Sequence, residues 1–365
     1  MKKILPIDKI FFGITAILAL VGLFVFTSAS FGLFARKGFS LNDFLFDQVI
    51  LGVFFGAIIA IFATHKFPIK FLQTNALYIF IGSIVATLFV FVPSIGLEHG
   101  GAHRWVDLRF TSFQPSELLK LGTVIYLAAL LPVLKDRIGT LKTSLSIAGG
   151  ILFLPAVVLL LEPDTGTLAV IFTAVVAMLL AAGMKLRHFA LIVIMSLFAI
   201  GALAYDRPYV KERILTFLDS SRDPLGAGYQ IQKSLLAIGS GGVAGRGFGQ
   251  SIQKFGSLPE PTGDSIFAVI GEEFGFIGGF VIIILFLLFG VRGIQIARRA
   301  PNMFESLLVV GIVILIVSQS FANIAAMLGI IPLTGLPLVF VSHGGSAILF
   351  AFLGVGIILN ISKRN

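Results

Sequence analysis

Asp264 ends the stretch Leu258-Pro259-Glu260-Pro261-Thr262-Gly263 and stands immediately before a long apolar run that begins Ser265-Ile266-Phe267-Ala268. A carboxylate at that place either caps the helix that follows, kept charged by the helix dipole, or serves as a fixed general base for an attacking hydroxyl. Glu272 follows eight residues later, roughly 12 Å further along a helix, with Glu273 on another side. Two adjacent acids in so apolar a run require at least one basic partner inside the protein.

Three other polar groups punctuate the chain. Arg104-Trp105-Val106-Asp107 precedes Gln114-Pro115-Ser116-Glu117-Leu118-Leu119-Lys120. Gln114 or Ser116 is placed to cap a helix that has Pro115 at its start. Glu117 and Lys120, three apart, share a face; they form a local ion pair or face a polar cavity. Glu162-Pro163-Asp164-Thr165-Gly166-Thr167 offers Asp164 as another helix cap. The acids Glu162, Asp164 and Asp264 are also of the type that binds a hard divalent cation such as Mg2+ or Mn2+. Finally, Pro332 to Ser346 is uncharged but for His343 and is rich in Pro and Gly, which suits broken backbone packed inside a bundle. Gln319 and Asn323, four apart on the preceding helix, are positioned to satisfy its backbone groups.

Several chemistries are excluded. There is no cysteine for thiol or zinc-thiolate work. The sequence holds no P-loop, and Gly245-Arg246-Gly247-Phe248-Gly249 lacks dinucleotide-loop spacing, so no nucleotide cofactor is expected. The five histidines have no ligand spacing.

The elements that must position these groups are membrane helices. Apolar residues make up 57% of the 365 and charged residues 12%, against roughly 25% charged in soluble domains. The net charge of +9 therefore bears on membrane topology rather than on nucleic acid. Ten apolar runs are long enough to span: 10–33, 45–64, 76–95, 115–134, 143–161, 166–184, 189–205, 265–291, 304–328 and 345–361. With the N-terminus inside, the inner segments carry fifteen Lys and Arg against three acids, and the outer ones twelve against fifteen. The positive-inside rule then puts both termini in the cytoplasm. The expected fold is all-α, a single transmembrane domain over 1–365 with one long outer loop, 206–263. That loop mixes twelve charged residues with apolar stretches, at 214–218 and 235–238, that suit short interfacial helices.

These motifs, in this order and spacing, resemble the SEDS family of bacterial cell-envelope polymerases over almost the whole chain. The likeness rests on Arg104-Trp105, Gln114 to Lys120, Glu162 to Gly166, Asp223 to Gln230, Ala237 to Gly242, Leu258-Pro259-Glu260 with Asp264, and Pro332 to Ser346. Gly228-Tyr229-Gln230 and Gly249 to Lys254 are similar to the division member, with the elongation and sporulation members close. Two places depart from the family pattern: Thr262-Gly263-Asp264-Ser265 replaces a His-Thr-Asp-Phe setting, and His343 replaces a tyrosine. The resemblance implies a peptidoglycan glycosyltransferase of the bacterial inner membrane. Its substrate would be lipid II, with undecaprenyl diphosphate leaving as a β-1,4 link forms. Asp264 would be catalytic, and Arg104, Glu117, Lys120, Asp164, Glu260, Ser342 and His343 would bind substrate. The implied partners are a class B penicillin-binding protein and other divisome membrane proteins. A lipid II flippase is the first rival, and an ion-coupled transporter using Glu272 and Glu273 the second.

Overall fold

The computed structural model describes residues 6–34, 46–99, 102–109, 111–223 and 226–364. Lys2, Lys3, the predicted start of the second helix at 45, Gly101 and Pro224-Leu225 lie outside the described residues.

Each of the ten predicted runs carries a helix. They are α1 (Lys9–Phe34), a π-helix (Phe46–Phe55) continuing into α2 (Gly56–His65), then after the short α3 (Ile69–Thr74) α4 (Ala76–Leu88), α5 (Pro115–Val133), α6 (Leu141–Leu161), α7 (Thr165–Ala181) and α8 (Leu186–Asp206). The long loop contains α9 (Pro208–Leu218), α10 (Ala227–Ser240) and α11 (Gln253–Gly256). The last three long helices are α12 (Ile266–Arg299), α13 (Met303–Met327) and α14 (Gly345–Ser362). Among the described residues eight helices are long and apolar enough to cross a membrane, and Ala76–Phe91 and Thr165–Ala181 are shorter apolar helices.

Two boundaries differ from expectation. The third run was predicted to reach 95, but helix stops at Phe91, ahead of Pro93. The eighth was predicted to end at 291, yet α12 continues to Arg299 because no helix breaker intervenes before Pro301. Its polar extension is anchored by Arg292, whose Nη2 lies 2.8 Å from Asp8 Oδ2.

The all-α expectation needs one correction. Between α4 and α5 the chain forms a three-stranded antiparallel sheet of β1 (Gly96–His99), β2 (Ala102–Asp107) and β3 (Ser112–Phe113). This excursion has no helix to satisfy its backbone, so its groups pair with one another. The period-two geometry of β2 puts Arg104 and Val106 on one face, and Val106 is buried.

Within lipid, helix association depends on close packing rather than on removing apolar surface from water. Glycines provide it. A Cβ on Gly356 of α14 would lie 2.6 Å from the Ala60 carbonyl of α2, and one on Gly311 of α13 would meet Val124 and Met178. The segment after α13 returns into this packed interior without regular structure, and Leu336 and the run Leu338 to Ser342 are buried. Its carbonyls are met by side chains: Asn323 Nδ2 donates to Leu336 O (2.8 Å), Gln319 Nε2 to Pro337 O (3.1 Å) and Gln48 Nε2 to Ser342 O (3.0 Å).

Candidate active site

The loop before α12 is a tight turn. Glu260 O accepts from both Gly263 N and Ser265 N at 3.1 Å, and Glu260 itself adopts a φ of 46° ahead of Pro261. The turn leaves Asp264 one residue short of the capping position. Ser265 is the N-cap and makes no side-chain capping bond, so the expectation that Asp264 caps this helix is corrected. Asn323 Nδ2 instead holds the Asp264 backbone carbonyl at 2.8 Å. Among the described residues the half-buried Asp264 carboxylate takes no hydrogen bond. Burial first, then the negative charge of Glu260, push it up to about 6, against the pull of Arg104 and Arg213.

Arg104 reaches across from β2. Its Nε donates to Glu162 O at 3.3 Å and its Nη2 to Pro163 O. Its remaining nitrogen, Nη1, points to Gly335 in the returning segment. A Cβ built on Gly335 would lie 3.7 Å from Arg104 Nη1 and 3.8 Å from Asp264 Oδ2, and φ there is +69°. Gly335 is thus the floor of a gap that has a guanidinium on one side and a free carboxylate on the other. Gly166, at the start of α7, packs under the same segment, 2.6 Å from Thr334 O by its Cβ position.

Asp164 caps α7 as expected: Thr167 N and Oγ1 donate to its two oxygens at 3.0 and 2.8 Å. Glu162, 1% exposed, has no hydrogen-bond partner on either carboxylate oxygen. Burial, reinforced by Asp164, pushes it up to about 9, so it is neutral at pH 7. Sequence reasoning missed Arg213. It lies on the amphipathic α9, and its Nη1 donates to Thr165 Oγ1 at 3.0 Å. Burial and the neighbouring charge of Arg104 push it below its ordinary range. The apolar stretch 214–218 revealed a helix there, but not which charge on its polar side turns toward the bundle.

Other expected site residues are engaged in holding the scaffold. Lys120 pairs with Glu117 Oε2 at 2.8 Å and also donates to Gln319 Oε1, all three buried. Gln114 is the N-cap of α5 but makes no side-chain cap, and Ser116 Oγ is buried without a partner, so neither caps as expected. Ser342 Oγ donates to Gly263 O and accepts from Leu338 N, both at 2.8 Å. His343 N donates to Thr262 O at 2.6 Å. These bonds fasten the returning segment to the Asp264 turn.

A divalent cation does not fit readily. Among the described residues no three of His, Cys, Asp and Glu come together to hold one. Asp164, moreover, already has both oxygens bound to Thr167.

The acids of α12 do have the basic partners that the sequence required, with Arg246 Nε 3.6 Å from Glu272 Oε1 and Lys254 on Glu273. Lys254 Nζ lies 2.5 Å from Glu273 Oε1, and both side chains are wholly buried. Ser28 Oγ donates to both Glu273 oxygens at 2.8 and 2.6 Å. Glu272 accepts from Ser251 Oγ (2.5 Å) and from Ile252 N and Gln253 N (3.0 and 3.2 Å). The loop passes over α12 where Gly275, at φ +64°, breaks the helix.

Comparison with known proteins shows the family. Residues 8–365 match the cell cycle protein family of FtsW, RodA and SpoVE. Stage V sporulation protein E of Bacillus subtilis (strain 168) is 35% identical over 99% of this chain and 98% of its own length. The probable peptidoglycan glycosyltransferase FtsW of Geobacter sp. (strain M18) is 35% identical over 100% and 99%. A chain from a solved peptidoglycan synthase complex, described as coordinating polymerization and crosslinking, superposes with a TM-score of 0.80 at 25% identity over 98% of each chain. The rod shape determining protein RodA of Thermus thermophilus gives a TM-score of 0.68 at 24% identity over 96% of each, a likeness of fold alone.

Proposed function

The chain belongs to the cell cycle protein family of FtsW, RodA and SpoVE, and from that membership and the gap at Gly335 we propose that it is a peptidoglycan glycosyltransferase of septal cell-wall synthesis. Its substrate is lipid II. The acceptor's sugar hydroxyl attacks the anomeric carbon of the donor, a β-1,4 link forms, and undecaprenyl diphosphate leaves.

The observation that carries this reading is the free Asp264 carboxylate facing Arg104 across Gly335. A base for a sugar hydroxyl must be unencumbered and have a pKa near working pH, and Asp264, raised to about 6, meets both conditions. The departing diphosphate gathers negative charge, which the Arg104 guanidinium offsets. Glu260 tunes Asp264, Asp164 fixes the start of α7, and the Glu117–Lys120 pair with Ser342 and His343 sets the walls around the substrate.

The ten helices span the inner membrane with both termini cytoplasmic and 206–263 outside, as the charge distribution requires. Lipid II then meets Asp264 at the outer mouth, beside the bilayer that holds its prenyl chain. A class B penicillin-binding protein docks beside the bundle and cross-links the product. The structural relative described as coordinating polymerization and crosslinking supports this pairing.

The test is reconstitution of the full chain in liposomes with lipid II, with and without the cognate transpeptidase. Glycan strands and released undecaprenyl diphosphate are expected. Transfer of intact lipid II across the bilayer with no polymer in either arm would replace the polymerase with a flippase.

A further inference from the structure

We propose that Arg213 and Arg104 form a two-guanidinium clamp for the diphosphate of a lipid-linked sugar, with Arg213 its second binding residue. The identity of the ligand rests on the polymerase reading; the clamp itself rests on the geometry.

The two arginines come from unrelated parts of the chain, β2 and the loop helix α9, yet one short turn orients both. Glu162 O and Pro163 O hold Arg104, and Thr165 Oγ1 holds Arg213. All three acceptors are neutral oxygens. Among the described residues neither guanidinium is paired with a carboxylate. Asp164, the other acid in that turn, has both oxygens on Thr167. Each arginine therefore keeps N–H groups in reserve: Nη1 on Arg104, Nε and Nη2 on Arg213.

Two cations whose charges meet in a half-buried site repel each other; Asp164 and Asp264 act on Arg213 without forming an ion pair with it, and an anion bound between the guanidiniums would relieve the repulsion. Arg104 is the strongest charged neighbour that Arg213 has. A diphosphate carries several acceptor oxygens, and planar guanidiniums bind such groups through paired N–H bonds. The position also suits the reaction. Arg104 Nη1 and Asp264 Oδ2 flank the same Gly335 gap, at 3.7 and 3.8 Å from its Cβ position. The anomeric carbon is bonded to the diphosphate oxygen that leaves, and it accepts the hydroxyl oxygen that attacks. As the C–O bond to the diphosphate breaks, its electron pair stays on that oxygen, where the two arginines receive the charge. As the new glycosidic bond forms, the hydroxyl proton passes to Asp264.

The rival role for Arg213 is mechanical, tying α9 to the start of α7 through Thr165. Arg213→Gln separates the two, since a Gln amide still offers an N–H to Thr165 Oγ1 but no charge. Thr165→Val is the reciprocal change, removing the tether and keeping the charge. The full-length protein in nanodiscs is titrated with undecaprenyl diphosphate and undecaprenyl monophosphate, and thermal unfolding reports folding. The clamp predicts that Arg213→Gln weakens diphosphate binding about ten- to a hundredfold, from the loss of charge-assisted hydrogen bonds. It predicts a smaller loss for the monophosphate and for Thr165→Val. Equal diphosphate affinity in wild type and Arg213→Gln overturns the proposal, as does a Thr165→Val loss as large as that of Arg213→Gln. Should Arg213→Gln not fold, Arg213→Lys takes its place: it keeps the charge but not the fork, so the preference for diphosphate over monophosphate should shrink. An unchanged preference in that variant overturns the clamp. The two proposals fail separately. Normal polymerisation by Asp264→Asn would remove the polymerase mechanism and leave the binding result standing, whereas wild-type binding by Arg213→Gln removes the clamp alone.

Discussion

Asp264 and the pair Glu272–Glu273 are acids in one neighbourhood, eight and nine residues apart at the same end of α12, and their surroundings are opposite. The pair is wholly buried, and its oxygens are met by Lys254, Ser28, Ser251 and the backbone of 252–253. Asp264 is less buried, yet among the described residues its carboxylate has no donor. Burial of a charge does not by itself mark a reactive group. The buried pair holds the long loop against the membrane helix, and its satisfied hydrogen bonds are what make that burial tolerable. Asp264 has unused hydrogen-bonding capacity beside a gap, which is what a proton acceptor needs.

The largest expected effect breaks the reactive side of this contrast. Asp264→Asn removes a base and no hydrogen bond, because the side chain neither caps α12 nor accepts from a described residue. Polymerisation of lipid II should fall by about 10²–10⁴-fold, while thermal unfolding at pH 7 shows no loss of stability. Substantial polymer from this variant would return Asp264 to a passive role.

The satisfied side should break differently. Lys254→Met leaves Glu273 buried without its cationic partner, beside only Ser28 and Ser251, and should lower stability by about 3–5 kcal/mol. Lys254→Met combined with Glu273→Gln removes both charges and should recover most of that loss in thermal unfolding, with polymerisation per folded molecule close to wild type. A double variant that folds but does not polymerise would make Glu273 a participant in the chemistry and end the contrast.

The sequence made most of this legible. Each of the ten apolar runs coincides with a helix, and the cost of Glu272 and Glu273 in lipid foretold a basic partner. It did not say that the partner was Lys254, because that contact joins a loop to a helix in three dimensions and leaves no periodic trace. The sheet over 96–113 left no clear trace, because Ala102 to Asp107 does not alternate polar and apolar residues as a half-buried strand would. Arg213 was missed for a related reason. An amphipathic pattern shows which residues share a face, not which other segment that face meets. Asp164 and Asp264 looked alike as helix caps, and only the turn from Glu260 to Ser265 separates the one that caps from the one that does not.

Gly335 tests whether the gap itself matters. Gly335→Ala places a methyl at ordinary contact distance from Arg104 and Asp264, in a left-handed backbone. The strain should lower stability by about 1–2 kcal/mol, and a filled gap should slow polymerisation about tenfold or more by displacing the reacting groups. Gly183 is the control. Its φ is +105° and nothing lies within 4 Å of its Cβ position, so Gly183→Ala should lose stability in thermal unfolding but retain its rate per folded molecule. Equal rates in the two variants would show that the gap holds no substrate.

The smallest expected effect concerns what sets Asp264's proton affinity. A base works when ionised, so polymerisation should rise with pH through about 6 and level off above it. Burial is the larger cause of that raised value, and the Glu260 charge is the second. Glu260→Gln removes a negative neighbour, makes the Asp264 anion easier to form, and should move the acid limb of the pH–rate profile to lower pH. Glu260 is exposed, so the shift should be under about one unit and should shrink as salt is added. Arg213→Gln removes a positive neighbour and should move the same limb to higher pH, so the two substitutions bracket the wild-type curve. An acid limb that stays fixed in both would mean that a group other than Asp264 limits the rate, and the unencumbered carboxylate would then lose its claim to be the base.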